Sequence, residues 1–249
     1  MTRQLAIILP TYNECANLAP LVRRIGAALQ TLPVKWEILV VDDSSPDGTA
    51  QTAEELSKEF PLRVLIRNEK RGLARSVLDG FRIAEGDYLL VMDADLSHPP
   101  ERIPEMWNLL TQEPCDLVVG SRYVQGGAIR DWTLLRRFTS RISRLLVSPL
   151  TNVRDPLSGF FLVHRKVIER KSFRPLGFKI LLEILTKGQY TTVREIPITF
   201  EERRYGSSKL TSGVILEYLM QVIRLYAEKM KSFFKSNEPA SGVGRGERR

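Results

Sequence analysis

The feature that most constrains the fold is an alternation, in the N-terminal part of the chain, between short apolar segments and segments with helical apolar spacing. The short segments are almost continuously apolar, which is typical of strands buried on both faces of a sheet. The alternation predicts an α/β fold with a mostly parallel central sheet, right-handed crossovers and flanking helices. The predicted strands are residues 5–10, 37–42, 62–67 and 88–92, and the predicted helices are residues 17–29, 49–60 and 73–84.

The rest of the chain is less regular. It contains three further predicted strands, at residues 117–119, 160–164 and 196–200, and two predicted helices, at residues 133–147 and 214–234. The last residues are rich in Gly, Ser, Glu and Arg, a composition that predicts disorder. We therefore expect a main domain at residues 1–210, an amphipathic C-terminal helix at 211–235 and a disordered tail at 236–249.

Charge is distributed unevenly along the 249 residues. Residues 1–120 hold 12 Lys and Arg against 18 Asp and Glu, a net charge of −6, whereas residues 121–249 hold 25 against 11, a net charge of +14. The basic half predicts an anionic partner such as phosphate, lipid headgroups or nucleic acid. The N-terminus has no basic and then apolar leader, and no uncharged run approaches the roughly 18 apolar residues of a membrane span. We therefore expect neither a signal peptide nor a transmembrane helix.

Acidic residues follow three of the predicted strands directly. Glu14 comes shortly after the first strand, Asp42 and Asp43 end the second, and Asp93 and Asp95 follow the fourth. Acids in such places often form turns or cap helices. Ligands of open α/β sheets, however, bind beyond the carboxyl ends of the strands. Three acidic clusters at neighbouring strand ends therefore predict a ligand site at this edge of the sheet.

The Asp93-Ala94-Asp95 segment predicts a metal site. Two carboxylates one residue apart in an extended or turning segment can reach the same divalent cation, directly or through water. Their hard oxygen ligands suit Mg²⁺ or Mn²⁺. A metal held by so few protein ligands normally shares its shell with substrate phosphates. A substrate containing phosphate is therefore expected.

Six ordered segments carry a resemblance to a known family. Residues 9–14 (LPTYNE), 40–49 (VVDDSSPDGT) and 92–100 (MDADLSHPP) resemble the inverting family-2 glycosyltransferases of GT-A fold. Further segments resemble the dolichol-phosphate mannose synthases within that family; these are residues 120–123 (GSRY), 155–160 (DPLSGF) and 203–210 (RRYGSSKL). The resemblance extends over about residues 5–210 in the expected order. It implies a Rossmann-like catalytic domain.

The resemblance implies roles for individual residues. The donor nucleotide sugar would be held by Pro10, Tyr12, Glu14, Asp42, Asp43, Asp93, Ala94, Asp95, Arg203 and Lys209, and the catalytic set would be Asp93, Asp95 and Arg203. Asp42 would accept hydrogen bonds from the base, and Arg203 would pair with the diphosphate. Ser97 stands where some members have a glutamine metal ligand, and its side chain is shorter. Arg122, Arg136 and Ser140 would receive the phosphate of the lipid acceptor.

The implied reaction transfers mannose from GDP-mannose to dolichyl or another polyprenyl phosphate. The configuration of the anomeric carbon is inverted, giving a β-linked lipid-phosphate sugar for glycan or protein glycosylation. Transfer of glucose from UDP-glucose stays an alternative, because nothing in residues 10–14 distinguishes guanine from uracil. A metal-dependent nucleotidyltransferase would share the acidic site but fits residues 203–209 poorly. A nucleic-acid-binding module would suit the basic half, but no recognition helix or aromatic–basic strand motif is present.

Two predicted helices are two-faced and suggest a membrane surface as partner. In the first, Leu135, Phe138, Ile142 and Leu145 share one face, and Arg137, Arg141 and Arg144 share another. In the second, the apolar stripe is Ile215, Leu219, Val222, Tyr226, Met230 and Phe233, and the polar stripe is Glu217, Gln221, Arg224, Glu228, Lys231 and Lys235. Either helix could instead pack on the core. We expect a peripheral protein at the cytoplasmic face of a membrane, held by these helices, by a small transmembrane partner subunit or by both.

Overall fold

The computed structural model describes residues 4–30, 32–68, 71–130, 132–174, 179–201 and 212–236. The strands in these ranges are β1 (Gln4–Thr11), β2 (Lys35–Asp42), β3 (Leu62–Ile66), β4 (Tyr88–Val91), β5 (Leu117–Ser121), β6 (Ala128–Ile129), β7 (Phe161–His164), β8 (Val193–Pro197) and β9 (Thr199–Phe200). The α-helices are α1 (Cys15–Leu29), α2 (Thr49–Leu56), α3 (Leu73–Ile83), α4 (Ile103–Gln112), α5 (Leu134–Val147), α6 (Ile180–Lys187) and α7 (Ser212–Ser236).

The main sheet has seven strands in the order β3-β2-β1-β4-β7-β5-β8. Its pairs are parallel except for the two made by β7, which runs antiparallel to β4 and β5. The predicted mostly parallel sheet is therefore confirmed. Because β7 is reversed, the residues that precede it lie at the same edge as the carboxyl ends of its neighbours. That edge collects the loops in which the acidic residues lie.

Both faces of the sheet are covered, which explains why its strands are apolar without interruption. In β1 the side chains of Leu5, Ile7 and Leu9 pack in one cluster with α1, α2 and α4. The intervening Ala6 and Ile8 pack in a second cluster with α3 and α6. This alternation follows from the two-residue period of a strand. The result is three layers, with the sheet between two layers of helices.

Three elements differ from the sequence prediction. Helices α4 and α6 were not predicted; every residue of α6 from Ile180 to Leu185 is buried, so the helix lacks the polar face that produces a 3.6-residue signal. Residues 196–200 are not one strand. Val193–Pro197 pairs with β5 in the main sheet, while Thr199–Phe200 pairs with β6 in a separate two-stranded sheet. An apolar run alone does not show where a chain leaves one sheet for another.

Helix α5 packs with its polar side towards the protein. The hydroxyl of Ser140 shares a hydrogen bond with the hydroxyl of Tyr123, and the guanidinium of Arg136 lies over the ring of Trp132. The predicted apolar face points away from the protein: Leu135, Phe138, Ile142 and Leu145 are 73%, 62%, 43% and 72% exposed. The prediction that these four residues share a face is confirmed.

Helix α7 corrects the predicted assignment of its faces. Tyr218, Val222 and Leu225 are buried against the end of α5 and against α6, so Val222 does not belong to an outer stripe. Gln221, predicted on the polar stripe, is fully buried, and its Nε2 donates to the carbonyl of Lys179 at 3.2 Å. The outward side of α7 carries large exposed apolar residues, which are Ile215, Leu216, Leu219, Met220, Ile223 and Met230. Within the described ranges, no helix is both long and apolar enough to cross a membrane.

Polar contacts attach α7 to the body of the protein. The guanidinium of Arg224 lies 3.0 Å from the carboxylate of Glu183, a fully buried residue of α6. Lys187 lies 3.1 Å from Glu183 and 3.7 Å from Glu228. The side of α7 that the sequence marks as polar is therefore used for ion pairs with α6. The predicted tail falls almost entirely on residues 237–249, which lie outside the described ranges.

Candidate active site

The carboxyl edge of the sheet brings most of the predicted residues together. Thr11, at the end of β1, is in register with Asp42, at the end of β2. Asp93 follows the neighbouring strand β4, and a Cβ atom placed on Gly159, just before β7, would lie 2.7 Å from its Oδ2. Arg122 follows β5. The predicted Arg203 and Lys209 lie outside the described residues.

Asp42 is buried at the centre of the predicted nucleoside site. Its Oδ1 accepts hydrogen bonds from the hydroxyls of Thr11 and Ser45, at 2.9 and 2.6 Å. Its Oδ2 accepts from the backbone N–H of Ser45 at 2.8 Å. These bonds hold the loop after β2 against the end of β1, where Pro10 is also buried. Asp42 is therefore positioned rigidly at the edge of the sheet.

Asp43 points into a different, buried cluster. Its carboxylate forms an ion pair with Arg67 and accepts hydrogen bonds from the hydroxyl of Ser76 and the N–H of Gly72, each at 3.0 Å. Arg67 also pairs with Asp79 at 2.7 Å. These contacts join the ends of β2 and β3 to α3. The carboxylate of Asp43 thus fixes the loop framework, and direct contact with a donor stays a prediction.

Tyr12 and Glu14 lie in the loop between β1 and α1. The guanidinium of Arg71 stacks on the ring of Tyr12, 4.1 Å from its centroid, and donates to its hydroxyl. The carboxylate of Glu14 accepts a hydrogen bond from the side-chain amide of Asn17 at 2.7 Å. The backbone N–H of Glu14 donates to the hydroxyl of Thr49 at 3.0 Å. Sequence reasoning missed Arg71, which lies in the connection between β3 and α3; the available signal was that this connection follows the carboxyl end of a strand.

The two aspartates of the predicted metal site are held from both sides. The N–H of Asp93 donates to Nδ1 of the buried His98 at 3.4 Å. Burial lowers the pKa of His98, so its Nδ1 stays available as an acceptor near neutral pH. Ser97 donates to Oδ1 of Asp95 from its hydroxyl at 2.5 Å and from its N–H at 3.1 Å. Ser97 therefore orients Asp95, and its predicted direct contact with a metal is untested.

The donor atoms fit a hard divalent cation. In the part of the chain that the structure describes, no three His, Cys, Asp or Glu side chains group closely enough to hold a metal alone. Asp93 and Asp95 offer two carboxylates, which would leave most positions of an octahedral shell to water and substrate oxygens. Mg²⁺ and Mn²⁺ at phosphate sites are typically bound in this way. The residues present therefore suit a metal that binds together with a diphosphate.

Arg122 is held in a buried ion pair next to this acidic site. Its Nε and Nη2 donate to the two carboxylate oxygens of Asp155, each at 2.8 Å, and its N–H donates at 3.0 Å. The side chains of Arg122 and Asp155 are 9% and 1% exposed. Burial by itself lowers the pKa of Arg122, but the hydrogen bonds and charge of Asp155, with smaller contributions that include Asp93, raise it overall. Arg122 is therefore a fixed cation.

A cationic and aromatic cluster surrounds Arg122. The structure brings together the three predicted acceptor residues, Arg122, Arg136 and Ser140, around the rings of Tyr123 and Trp132. Arg144 joins them, with its guanidinium 4.3 Å from the centroid of Tyr123. Sequence reasoning did not assign Trp132 or Arg144 to this site. The signal for Arg144 was its position four residues after Ser140, on the same face of α5.

The chain is similar in sequence to a known family of enzymes. The sequence model of the family described as glycosyl transferase family 2 matches residues 6–177. The chain belongs to this family. Its identification as a glycosyltransferase from six sequence segments is therefore confirmed.

Two relatives of this family-2 glycosyltransferase are informative. It is 44% identical over 226 residues to the dolichol-phosphate mannosyltransferase of Pyrococcus furiosus, a match that covers 89% of this chain and 63% of the relative. The chain thus spans less than two thirds of that protein's length. It is 38% identical over 240 residues to the dolichol-phosphate mannosyltransferase of Saccharomyces cerevisiae, covering 92% of this chain and 89% of the relative.

A solved structure shares the fold. It is the glucosyl-3-phosphoglycerate synthase of Mycobacterium tuberculosis in complex with Mn²⁺, UDP-glucose and phosphoglyceric acid. Its TM-score is 0.65 at 21% sequence identity, and the match covers 97% of this chain and 82% of that chain. At this identity the likeness concerns the fold alone. The predicted GT-A fold of this family-2 glycosyltransferase is confirmed.

Proposed function

We propose that this family-2 glycosyltransferase transfers mannose from GDP-mannose to dolichyl or another polyprenyl phosphate, with inversion at the anomeric carbon. One observation carries the proposal: Asp93, of the acidic pair Asp93 and Asp95, lies close enough to Arg122 to raise its pKa, and Arg122 and Arg136 both lie at the ring of Trp132. The acidic side of the candidate site suits a metal-bound nucleotide diphosphate, and the cationic side suits an acceptor phosphate. The names of the two relatives support the choice of sugar and acceptor.

On the donor side, the chain supplies a rigid frame. Asp42 would accept hydrogen bonds from the base, with Pro10, Tyr12 and Glu14 around the nucleoside. Asp93 and Asp95 would hold a Mg²⁺ or Mn²⁺ ion, which when bound neutralises the charge of the diphosphate leaving group. The proposal includes Arg203 as a second source of positive charge, because a guanidinium can pair with phosphate through two hydrogen bonds.

On the acceptor side, no protein base is required. The second pKa of a phosphate monoester is about 6, so the acceptor is largely a dianion near neutral pH. Its oxygen can attack the anomeric carbon without first losing a proton to the enzyme. Arg122, Arg136 and Ser140 would orient it for an in-line attack. His98 is buried and bonded to Asp93, which agrees with a structural role.

The acceptor is a lipid, and the proposal therefore includes a membrane surface. Helices α5 and α7 carry exposed apolar side chains on their outer sides. Residues 1–210 would form the catalytic domain, and residues 211–235 would lie at the interface on the cytoplasmic face. A small transmembrane partner subunit could cover the same side chains. If the purified protein binds lipid vesicles without any other protein, the helices contact the membrane directly; if it does not bind, a partner subunit covers them.

Transfer by the purified protein tests this function. The protein is incubated with Mn²⁺, a short polyprenyl phosphate and a panel of labelled nucleotide sugars. We expect lipid-linked label from GDP-mannose alone, whereas label from UDP-glucose would identify the glucosyltransferase alternative. Asp95→Ala should abolish transfer without loss of fold. The matched control is Glu54→Ala, which removes an exposed carboxylate on α2 and should leave transfer unchanged. Full activity of Asp95→Ala would contradict the metal assignment.

A further inference from the structure

Trp132 contains a buried hydrogen-bond donor that the fold does not use. The residue lies between β6 and α5 and is 9% exposed. Its indole nitrogen Nε1 is fully buried and meets no hydrogen-bond acceptor among the described residues. Buried donors in native proteins almost always have a partner, because an unpaired one loses its hydration without compensation. The indole N–H of Trp132 therefore calls for a partner from elsewhere.

The described neighbours of the indole ring cannot supply that partner. The guanidinium carbon of Arg136 lies 4.4 Å from the ring centroid, and that of Arg122 lies 5.5 Å away. A guanidinium has only donors. The ring of Phe200 packs edge-on at 5.5 Å and is apolar. Trp132 thus adds an indole donor to the guanidinium donors of the same cluster.

We propose that Trp132 binds the acceptor phosphate, with its indole N–H donating a hydrogen bond to a non-bridging phosphate oxygen. This inference rests on the proposed function, because it takes a phosphate monoester as the ligand between Arg122 and Arg136. An indole nitrogen can only donate, so it favours an ionised oxygen that can only accept. A phosphate dianion offers three such oxygens and brings negative charge to the guanidinium groups around the ring, whereas a neutral hydroxyl brings none.

The role predicts a particular kinetic signature. The acceptor carries close to two negative charges before attack and one after its oxygen has bonded to the sugar. A hydrogen bond from Trp132 is therefore strongest to the unreacted acceptor and contributes to its binding rather than to the transition state. Losing this bond should raise the KM for the acceptor and leave the KM for the nucleotide sugar unchanged. A merely structural role in the fold would change both.

The sharpest chemical test replaces only the N–H. Benzothienylalanine at position 132 keeps the two fused rings and substitutes sulfur for the nitrogen. We expect the acceptor KM to rise about 10- to 100-fold, the range for a lost hydrogen bond to a charged group. The same replacement at Trp107, a core residue of α4, is the matched control and should leave both KM values unchanged. An unchanged acceptor KM for the variant at position 132 would contradict the inference.

A spectroscopic test reads the N–H directly. The chain has three tryptophans, Trp36, Trp107 and Trp132, so an ¹⁵N spectrum has three indole signals, and Trp132→Phe identifies the third. Farnesyl phosphate should move the Trp132 signal and slow its hydrogen exchange, whereas farnesol, which lacks the phosphate, should not. Inorganic phosphate at higher concentration should produce the same shift.

The outcomes separate this inference from the proposed function. If calorimetry shows that farnesyl phosphate binds but the Trp132 signal does not move, the inference is wrong and the proposed acceptor stands. A Trp132 signal already at the downfield position of a hydrogen-bonded indole N–H before any ligand is added would also overturn the inference, because the partner would then be part of the chain. If inorganic phosphate moves the signal but farnesyl phosphate does not bind, Trp132 holds a phosphate and the proposed lipid acceptor is wrong.

Discussion

Gly159 controls how closely the backbone approaches Asp93, one of the two proposed metal ligands. It lies between Asp155 and β7, in the loop that reaches the carboxyl edge of the sheet because β7 is antiparallel to its neighbours. A Cβ atom at this position would lie 2.7 Å from Oδ2 and 3.0 Å from Oδ1 of Asp93. Any side chain would therefore displace either the loop or the carboxylate. Glycine at position 159 serves the site, since it allows two loops to touch.

Gly159→Ala should weaken metal binding more than it weakens the fold. We expect the Kd for Mn²⁺, measured by calorimetry with a nucleotide diphosphate present, to rise at least about tenfold, equivalent to about 1.4 kcal/mol. The control is Gly80→Ala, whose Cβ would lie 2.6 Å from Ile8 in the core, away from the metal site. It should lower the free energy of unfolding and leave the Mn²⁺ affinity unchanged. Equal Mn²⁺ affinities for wild type and Gly159→Ala would contradict this role.

At the residue scale, the sequence predicted which residues meet at the carboxyl edge of the sheet better than it predicted the contacts they make there. Asp42, Asp93 and Asp95 could be found because strand ends are local features and the edge rule places them together. The pairing of Arg122 with Asp155 could not be predicted, because the two residues are 33 positions apart and meet only through the order of β5 and β7. The same reason applies to the burial of Trp132.

At the element scale, α5 reverses the usual arrangement of an amphipathic helix, and α7, which buries Val222 and Leu225, also carries a second, exposed apolar side. A surface helix of a globular protein normally turns its apolar stripe towards the core. Here α5 turns Ser140 inwards and exposes Phe138, while α7 turns Gln221 and Arg224 inwards and exposes Ile223. The sequence shows that such helices are two-faced, but periodicity does not tell which face meets the protein. That choice is made by the polar groups of the active site and of α6.

Tyr218 connects these two helices and should give their contact a pH dependence. Its hydroxyl donates to the carbonyl of Ser143 at 2.8 Å, and burial raises its pKa to about 12. The unfolded-state pKa is about 10, so the contribution of this tyrosine is fully present below pH 10 and is lost as the pH rises towards 12. Tyr218→Phe should cost about 1 kcal/mol at pH 8.

Chemical denaturation of wild type and Tyr218→Phe at pH 8 and pH 11 checks this prediction. The difference in unfolding free energy between the two proteins should be smaller at pH 11, because the wild type alone loses the contribution of the buried neutral hydroxyl. Taking the difference removes the effect of the other tyrosines, which both proteins share. A difference of the same size at both pH values would show that Tyr218 is not shielded from ionisation at the junction of the helices.

At the scale of the whole molecule, charge and apolar surface are arranged around one reaction. The acidic N-terminal half supplies the ends of β2 and β4, where a metal and a nucleotide are expected. The basic C-terminal half supplies Arg122 and α5, where an anionic acceptor is expected. On the outer side of α5, the exposed apolar residues are accompanied by the exposed Arg137 and Arg141. A membrane surface at that side would place a lipid phosphate next to the inward-facing Arg136.

Binding to lipid vesicles should therefore depend on the outer sides of α5 and α7 together. Phe138→Glu combined with Ile223→Glu should weaken partitioning onto vesicles with anionic lipids at least about 100-fold, because two exposed apolar side chains each contribute roughly 1.5–3 kcal/mol when buried. The matched control is Ile83→Glu, at the end of α3, which replaces another exposed isoleucine and should leave partitioning unchanged. Sedimentation with vesicles measures the partition, and raising the salt concentration should weaken the binding of the wild type by screening Arg137 and Arg141.

If the double variant partitions as the wild type does, the two helices do not form the membrane-binding surface. If the wild type itself fails to bind without another protein, the exposed side chains are the docking surface of a partner subunit, since their exposure still requires a cover.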